Sequence, residues 1–222
     1  MAPFNIFKLK INVLPDGIKN WYLRLINPVI EFFISLELNP NFFTTIGFIL
    51  TLGAAVLFAT GYLRIAGAII LLAGTFDIID GKVARATNRV TKFGALYDST
   101  LDRYAEVIMF FGLAYYFVKE DWFITSIAVS IALGGSIMVS YIRARAEALG
   151  FKCKVGIMQR PERVVYIGFG AIFHIYTLIL AIMLIAVFAN VTAIQRVYHI
   201  WVAENGKKRE KLSQAELDMI GD

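Results

Sequence analysis

Six long apolar runs, set apart by short polar or basic segments, dominate the pattern of this chain. They fall at roughly 42–60, 65–85, 93–118, 122–145, 160–174 and 176–201. A helix that crosses a bilayer needs about 20 mostly apolar residues. The pattern therefore predicts an all-α, polytopic membrane protein with six transmembrane helices. The fifth run is short on this count, and its boundary falls near His174. Ahead of the runs, residues 17–38 mix Trp21, Tyr22, Leu25, Ile26, Phe32 and Phe33 with Lys19, Arg24 and Glu31. Pro28 is expected to interrupt a long helix there. This stretch reads as an N-terminal amphipathic helix lying on the cytoplasmic interface, with a poorly inserted span as the alternative. In "NPNFFTT", Pro40 suits a turn or a first helical position, and Asn41 or Thr44 is expected to cap the first span. The connection "KEDW" is so short that the third and fourth spans must be antiparallel neighbours.

Composition agrees with this reading. The chain is 58% hydrophobic and 18% charged over 222 residues, where a soluble domain lies nearer ~45–50% and ~25%. "MAPFNIFKLKINVLP" has no compact apolar run followed by a small-residue cleavage site, so no cleaved signal peptide is expected. The single cysteine, Cys153, excludes an internal disulfide framework and reads as an unpaired thiol beside a basic loop.

The net charge of +5 matters less than its distribution. Basic residues gather in four places: Lys8, Lys10, Lys19 and Arg24; Lys82, Arg85, Arg89 and Lys92; Arg143, Arg145, Lys152, Lys154, Arg160 and Arg163; and Arg196, Lys207, Lys208, Arg209 and Lys211. The opposite connections carry Arg64 and Lys119. By the positive-inside rule both termini are cytoplasmic, in a multi-pass protein of the cell membrane. Three regions result: residues 1–38 as a cytoplasmic N-terminus with the interfacial helix, 39–203 as a six-helix membrane domain, and 204–222 as a polar cytoplasmic tail. Membrane lipids are the expected surroundings, and no nucleic-acid partner is expected.

The segment "DIIDGKVARATNRVTKFGALYDSTLD", residues 77–102, breaks the apolar pattern with four aspartates. Asp77 and Asp80 are three apart and Asp98 and Asp102 four apart, so each pair shares one helix side. The polar turn between them implies a hairpin of the second and third spans at the cytoplasmic side, each presenting two carboxylates to the other. Gly81 and Gly94 leave room in its walls. Four like charges in a low-dielectric site need cations. Hard divalent ions with oxygen ligands are the natural answer, and Mg²⁺ often binds a few carboxylates plus substrate phosphate. Two other readings stay open: structural salt bridges to Arg85, Arg89 and Arg103, and the ion or proton path of a transporter. A soluble calcium loop is excluded, since "DIIDGK" lacks alternating oxygen ligands.

The spacing Asp77-x2-Asp80-Gly81-x2-Ala84-Arg85-x8-Gly94-x3-Asp98-x3-Asp102 resembles the signature of the CDP-alcohol phosphotransferase family, with eight fixed positions over 26 residues. "PNFFTT" is similar to the start of the family's first helix, and "TAIQR", Thr192 to Arg196, to the end of its last. The first 15 residues and the tail after about residue 203 lie outside the resemblance. The resemblance implies transfer of a phosphatidyl group from a CDP-linked lipid to an alcohol, with release of CMP. It implies Mg²⁺ or Mn²⁺, as two ions, on Asp77, Asp80, Asp98 and Asp102. Asp102 is also the implied general base. Gly81 would let the cytidine or its ribose approach, and Arg85 would contact the pyrophosphate. Thr91 and the segment Asn41, Phe42, Phe43 and Thr44 match positions that contact the CDP-lipid. Homodimers are common in the family.

The acceptor is read from "SYIRARAEALGFKCKVGIMQRPER", residues 140–163. Lys152 and Lys154 fit ordinary positive-inside charge. Arg143, Arg160 and Arg163 fall at helix ends beside the same cavity mouth, and arginine forks suit phosphate oxygens. An acceptor that already carries phosphate is expected. "SYIRARAEALG", "QRPER" and the Tyr97–Arg103 stretch resemble the inositol-phosphate-using branch, whose product is phosphatidylinositol phosphate, or archaetidylinositol phosphate with an ether lipid. The glycerol-phosphate branch usually has Pro and Lys where Ser99 and Arg103 stand here. The serine branch usually has Ser-Phe-Gly where "RYAEVIMFFG" stands.

Overall fold

The computed structural model describes residues 16–36 and 38–220, without the side chains of Asp16, Ile18, Lys19 and 207–220. The expectations for residues 1–15, and for the side chains of Lys19, Lys207, Lys208, Arg209 and Lys211, lie outside the described residues. Among the described residues, seven helices follow one another: α1 (Asp16–Ser35), α2 (Pro40–Thr60), α3 (Leu63–Ala86), α4 (Lys92–Lys119), α5 (Phe123–Ala148), α6 (Arg160–Phe173) and α7 (Ile175–Ile220). The predicted runs match α2 to α7 to within a few residues, apart from the far end of α7. The break at His174 falls where it was expected, in extended backbone, and the Thr177 hydroxyl accepts from its N–H.

Two local expectations change. Asn39, not Asn41 or Thr44, caps α2: its side chain accepts from the Asn41 N–H at 3.0 Å, and Pro40 takes the first helical turn. A cap must lie outside the helix to reach its orphan N–H groups, and Pro40 fixes that boundary. Pro28 does not end α1, which continues through it to Ser35. Buried Ile26 and Ile30 flank Pro28 and pack with Phe43, Ile79 and Val83, so tertiary contact holds both halves of the helix in line. On the outer side of α1, Trp21, Leu25, Val29, Phe32 and Leu36 are exposed.

Among the described residues, three helices are long and apolar enough to cross a membrane: α2, α5, and α7 over Ile175–Gly206. The 14 residues of α6 rise only about 21 Å.

The six helices after α1 close into a ring, in the spatial order α2, α3, α6, α7, α5, α4 and back to α2. Small residues set that order. A Cβ on Gly47 of α2 would meet the Ala73 carbonyl of α3 at 3.4 Å. One on Gly112 of α4 would lie 3.1 Å from the Ala55 Cα of α2 and closer still to its carbonyl oxygen. On the far side, a Cβ on Gly67 of α3 would lie 2.6 Å from the Gly168 carbonyl of α6. The helices of the expected α3–α4 hairpin are therefore not packed on each other. Each packs on α2, and a cleft opens between them. The α4–α5 pair is in contact as expected.

Gly112→Val should force α2 and α4 apart. Overpacking of this kind costs about 1–3 kcal/mol, to be read as a lower melting temperature in detergent. Gly134→Ala in mid-α5, where nothing lies within 4 Å of the added Cβ, should not lower the melting temperature and should raise it slightly, since Ala is favoured over Gly inside a helix by up to about 1 kcal/mol.

Candidate active site

The last turns of α3 carry Asp77 and Asp80, and the first turns of α4 carry Asp98 and Asp102. Their helix ends converge on one small cavity, about 20 Å³, room for about one water. Its walls come from α2, α3, α4 and α6, and Asp77, Asp102, Glu106 and Arg160 are among them. Asp98 lies within electrostatic reach of both Asp77 and Asp80. Asp77 and Asp102 line the cavity, and Asp80 and Asp98 lie within electrostatic reach of Asp77.

Asp77, Asp80 and Asp102 are each oriented by a side chain from another helix. Thr44 Oγ1 of α2 donates to Asp80 Oδ2 at 2.7 Å, and both residues are buried. The Arg160 guanidinium bridges α3 and α4. One terminal nitrogen donates to Asp77 Oδ2, and the other lies 2.7 Å from Asp102 Oδ1. Arg103 Nη1 sits 3.5 Å from Asp102 Oδ2 and donates to the Ser99 carbonyl at 2.6 Å. At the start of α4, the Gly94 N–H donates to the capping Thr91 hydroxyl at 2.9 Å, and Tyr97 pairs with Thr45 of α2 at 3.0 Å. Gly94 also brings Asn41 close, since a Cβ there would lie 3.2 Å from Asn41 Oδ1.

The site suits hard cations. Its donors are carboxylate oxygens on two helix ends, and a cation, the Arg160 guanidinium, already stands between two of them. Among the described residues no three acidic or imidazole groups close on one point as a ready-made cage. That is compatible with ions that also take phosphate oxygens from a substrate. Asp77, Asp80, Asp98 and Asp102 are the residues that would hold them.

Other predicted site residues are distributed differently. Phe43, expected at the nucleotide, is fully buried against Phe33 of α1 and belongs to the core, while Phe42 is half exposed. The space over Gly81 is taken by the Arg85 guanidinium one turn on, 3.4 Å from where a Cβ would be. The three acceptor arginines separate. Arg160 groups with the aspartates. Arg143, partly exposed, pairs with Glu147 along α5 at 2.9 Å. Arg163 is buried and held at both ends by Glu106 of α4, Nε to Oε1 at 2.6 Å and Nη2 to Oε2 at 3.0 Å. The structural salt-bridge alternative is realised in part, through Arg103 and Arg160 rather than the whole set of Arg85, Arg89 and Arg103.

Glu106 escaped the sequence reading, and Arg196 was read there only as a basic residue and the end of the family-like "TAIQR", not as part of the site. Glu106 continues the Asp98–Asp102 spacing by another four residues, a visible signal. Arg196 is buried on α7, donating to the Val155 and Val139 carbonyls, within electrostatic reach of Arg143 and Arg163. An arginine inside an apolar run was its signal. Cys153 is free and fully buried, and burial pushes its thiol above the usual range, consistent with an inert side chain.

Comparison with known proteins agrees with this geometry. The family model described as CDP-alcohol phosphatidyltransferase matches residues 37–204. The archaetidylinositol phosphate synthase of Methanothermobacter thermautotrophicus is 35% identical over 197 residues, 85% of this chain and 98% of that protein. The crystal structure of Mycobacterium tuberculosis phosphatidylinositol phosphate synthase with CDP-DAG bound aligns with a TM-score of 0.72 and 32% identity, covering 80% of this chain and 94% of that one. The same mycobacterial enzyme in complex with manganese and citrate aligns with a TM-score of 0.70 and 31% identity, covering 78% of this chain and 88% of that one. The chain belongs to the CDP-alcohol phosphatidyltransferase family.

Thr44→Val should leave the buried Asp80 short of a donor and cost about 1–3 kcal/mol of stability, to be measured as a fall in melting temperature. Thr44→Ser, which keeps the hydroxyl, should recover most of it.

Proposed function

We propose that this member of the CDP-alcohol phosphatidyltransferase family transfers the phosphatidyl group of a CDP-linked lipid to inositol phosphate and releases CMP, in phospholipid biosynthesis. The observation that carries the reading is the cavity lined by Asp77 and Asp102 and bounded by the Arg160 guanidinium, with Asp80 and Asp98 within electrostatic reach from the same two helix ends. A nucleotide pyrophosphate and divalent ions are the chemistry such a set accepts.

The reaction is a displacement at the lipid phosphorus. The acceptor oxygen forms the new O–P bond, the bridging P–O bond of the pyrophosphate breaks, and CMP leaves with the electron pair. Asp102 takes the hydroxyl proton, and Arg103 and Arg160 hold its carboxylate in place. Divalent cations, Mg²⁺ or Mn²⁺ and in our reading two of them, supply charge neutralisation at the pyrophosphate when bound. Thr44 fixes Asp80 toward them. Asn41, Phe42, Gly81, Arg85 and Thr91 line the approach of the CDP headgroup. That headgroup is common to diacyl and archaeal ether donors, and relatives of both kinds support either lipid.

The acceptor phosphate is assigned to Arg143 and Arg163, with Arg196 beside them. Three arginines stand here against two carboxylates, Glu106 on Arg163 and Glu147 on Arg143, while Arg196 donates only to backbone carbonyls, an excess of positive charge that suits an added anion. Arg160 serves as counter-ion to the aspartates. We also infer six spans, with both termini and the site cytoplasmic and α1 lying in the interface, as its exposed apolar stripe supports. The proposed assembly is a homodimer.

Two measurements test this reading. CMP release by the purified protein should require a divalent cation, a CDP-lipid and an acceptor together, and inositol phosphate should be used far better than free inositol, glycerol phosphate or serine. Asp102→Asn should abolish turnover while keeping most CDP-lipid binding, whereas Asp77→Asn should weaken donor and metal binding. Near-normal turnover of Asp102→Asn would sink the general-base role. Arg143→Ala should raise the acceptor KM about tenfold, ~1.4 kcal/mol, and Lys152→Ala should not change it.

A further inference from the structure

Glu106 has no task in the reaction described above, yet it is one of the few buried charges in the protein. It sits one turn below Asp102 on α4 and lines the same cavity. Both its oxygens grip Arg163. The same carboxylate lies within electrostatic reach of Arg160. Charges therefore alternate along a line from the aspartates: Asp77 and Asp102, then Arg160, then Glu106, then Arg163, with Arg143 and Arg196 beyond.

The helix packing makes this line necessary. α6 lies against α3 and α7 and scarcely approaches α4. Arg160 and Arg163, one turn apart on α6, reach across to Asp102 and Glu106, one turn apart on α4. Without the second rung, Arg163 would be a buried cation beside Arg196 with no acidic partner.

The hydrogen bonds also set the direction of the guanidinium. Arginine has five N–H donors in a planar fork. Glu106 takes the Nε–H and one on Nη2, and the Met158 carbonyl takes one on Nη1 at 3.2 Å. These bonds use three of the five, leaving one N–H on each terminal nitrogen of a side chain that is fully buried here, and terminal guanidinium nitrogens are the groups that suit phosphate oxygens. Met158 is itself pinned, since its N–H donates to Thr192 Oγ1 of α7 at 3.0 Å.

We infer that Glu106 is a positioning residue for acceptor recognition: its carboxylate holds the Arg163 fork toward the acceptor phosphate and separates it from Arg160 and the aspartates. This rests on the assignment of Arg163 to that phosphate.

The test uses the full-length protein in detergent, with CDP-diacylglycerol and inositol phosphate as probes. Glu106→Gln, Glu106→Asp, Arg163→Lys and the double variant Glu106→Gln/Arg163→Lys are compared for kcat, both KM values and melting temperature. Glu106→Gln keeps the shape but loses the charge. It should raise the acceptor KM about tenfold to a hundredfold, the range for a buried hydrogen bond to a charged group, with donor KM unchanged. Glu106→Asp should recover part of that loss. The double variant should bind acceptor no worse than Arg163→Lys, because Glu106 acts through Arg163. A lower melting temperature with unchanged acceptor KM, or multiplying effects in the double variant, overturns the inference. So does failure of both Glu106 variants to fold, which would make the pair structural. If Arg163→Lys alone leaves the acceptor KM untouched, the acceptor assignment itself falls, a separate result.

Discussion

Carboxylates on neighbouring helix ends repel one another, and burial beside apolar helices removes the water that would screen them. This chain meets the constraint with side chains from elsewhere in the ring. α2 sends the Thr44 hydroxyl to Asp80, and α6 sends Arg160 between Asp77 and Asp102. The helix order follows from it. α3 and α4 adjoin in sequence, but like charges at their facing ends do not favour close packing. The glycines at 47 and 112 let both close on α2 instead, and the cleft left between them is the site.

The same logic extends one turn deeper. Arg163 and Glu106 repeat on a second level what Arg160 and Asp102 do on the first. Because α6 touches α4 mainly through these long arms, the distance between the two helices depends on side-chain charge and length rather than on close-packed surface. Such a gap can admit ligand atoms without breaking an apolar interface.

Much of this was legible in the sequence. Apolar runs marked α2 to α7 because residues on the outside of the ring and residues facing its interior are alike apolar, so the runs are unbroken. The aspartate spacing marked the candidate site because helix periodicity alone puts Asp77 with Asp80 and Asp98 with Asp102. Packing choices were not legible. Nothing in "QRPER" says that Arg160 turns to the aspartates while Arg163 turns to Glu106; helix rotation and neighbours decide. Phe43 could not be told from Phe42, since only the docking of α1 buries one and exposes the other. Pro28 was misleading for the same reason, because contacts from α3 hold its helix together.

The ring order also has a consequence in time. Asp77 and its arginine are 83 residues apart in the chain. At the ribosomal pace of about 5–20 residues per second, roughly 4–17 seconds pass before Arg160 follows Asp77 out of the ribosome. α2, α3 and α4 can meet before then, with their acidic ends already together. The part of the fold that carries the chemistry is therefore the last to be neutralised during synthesis, and it is the arrival of α6 that closes it.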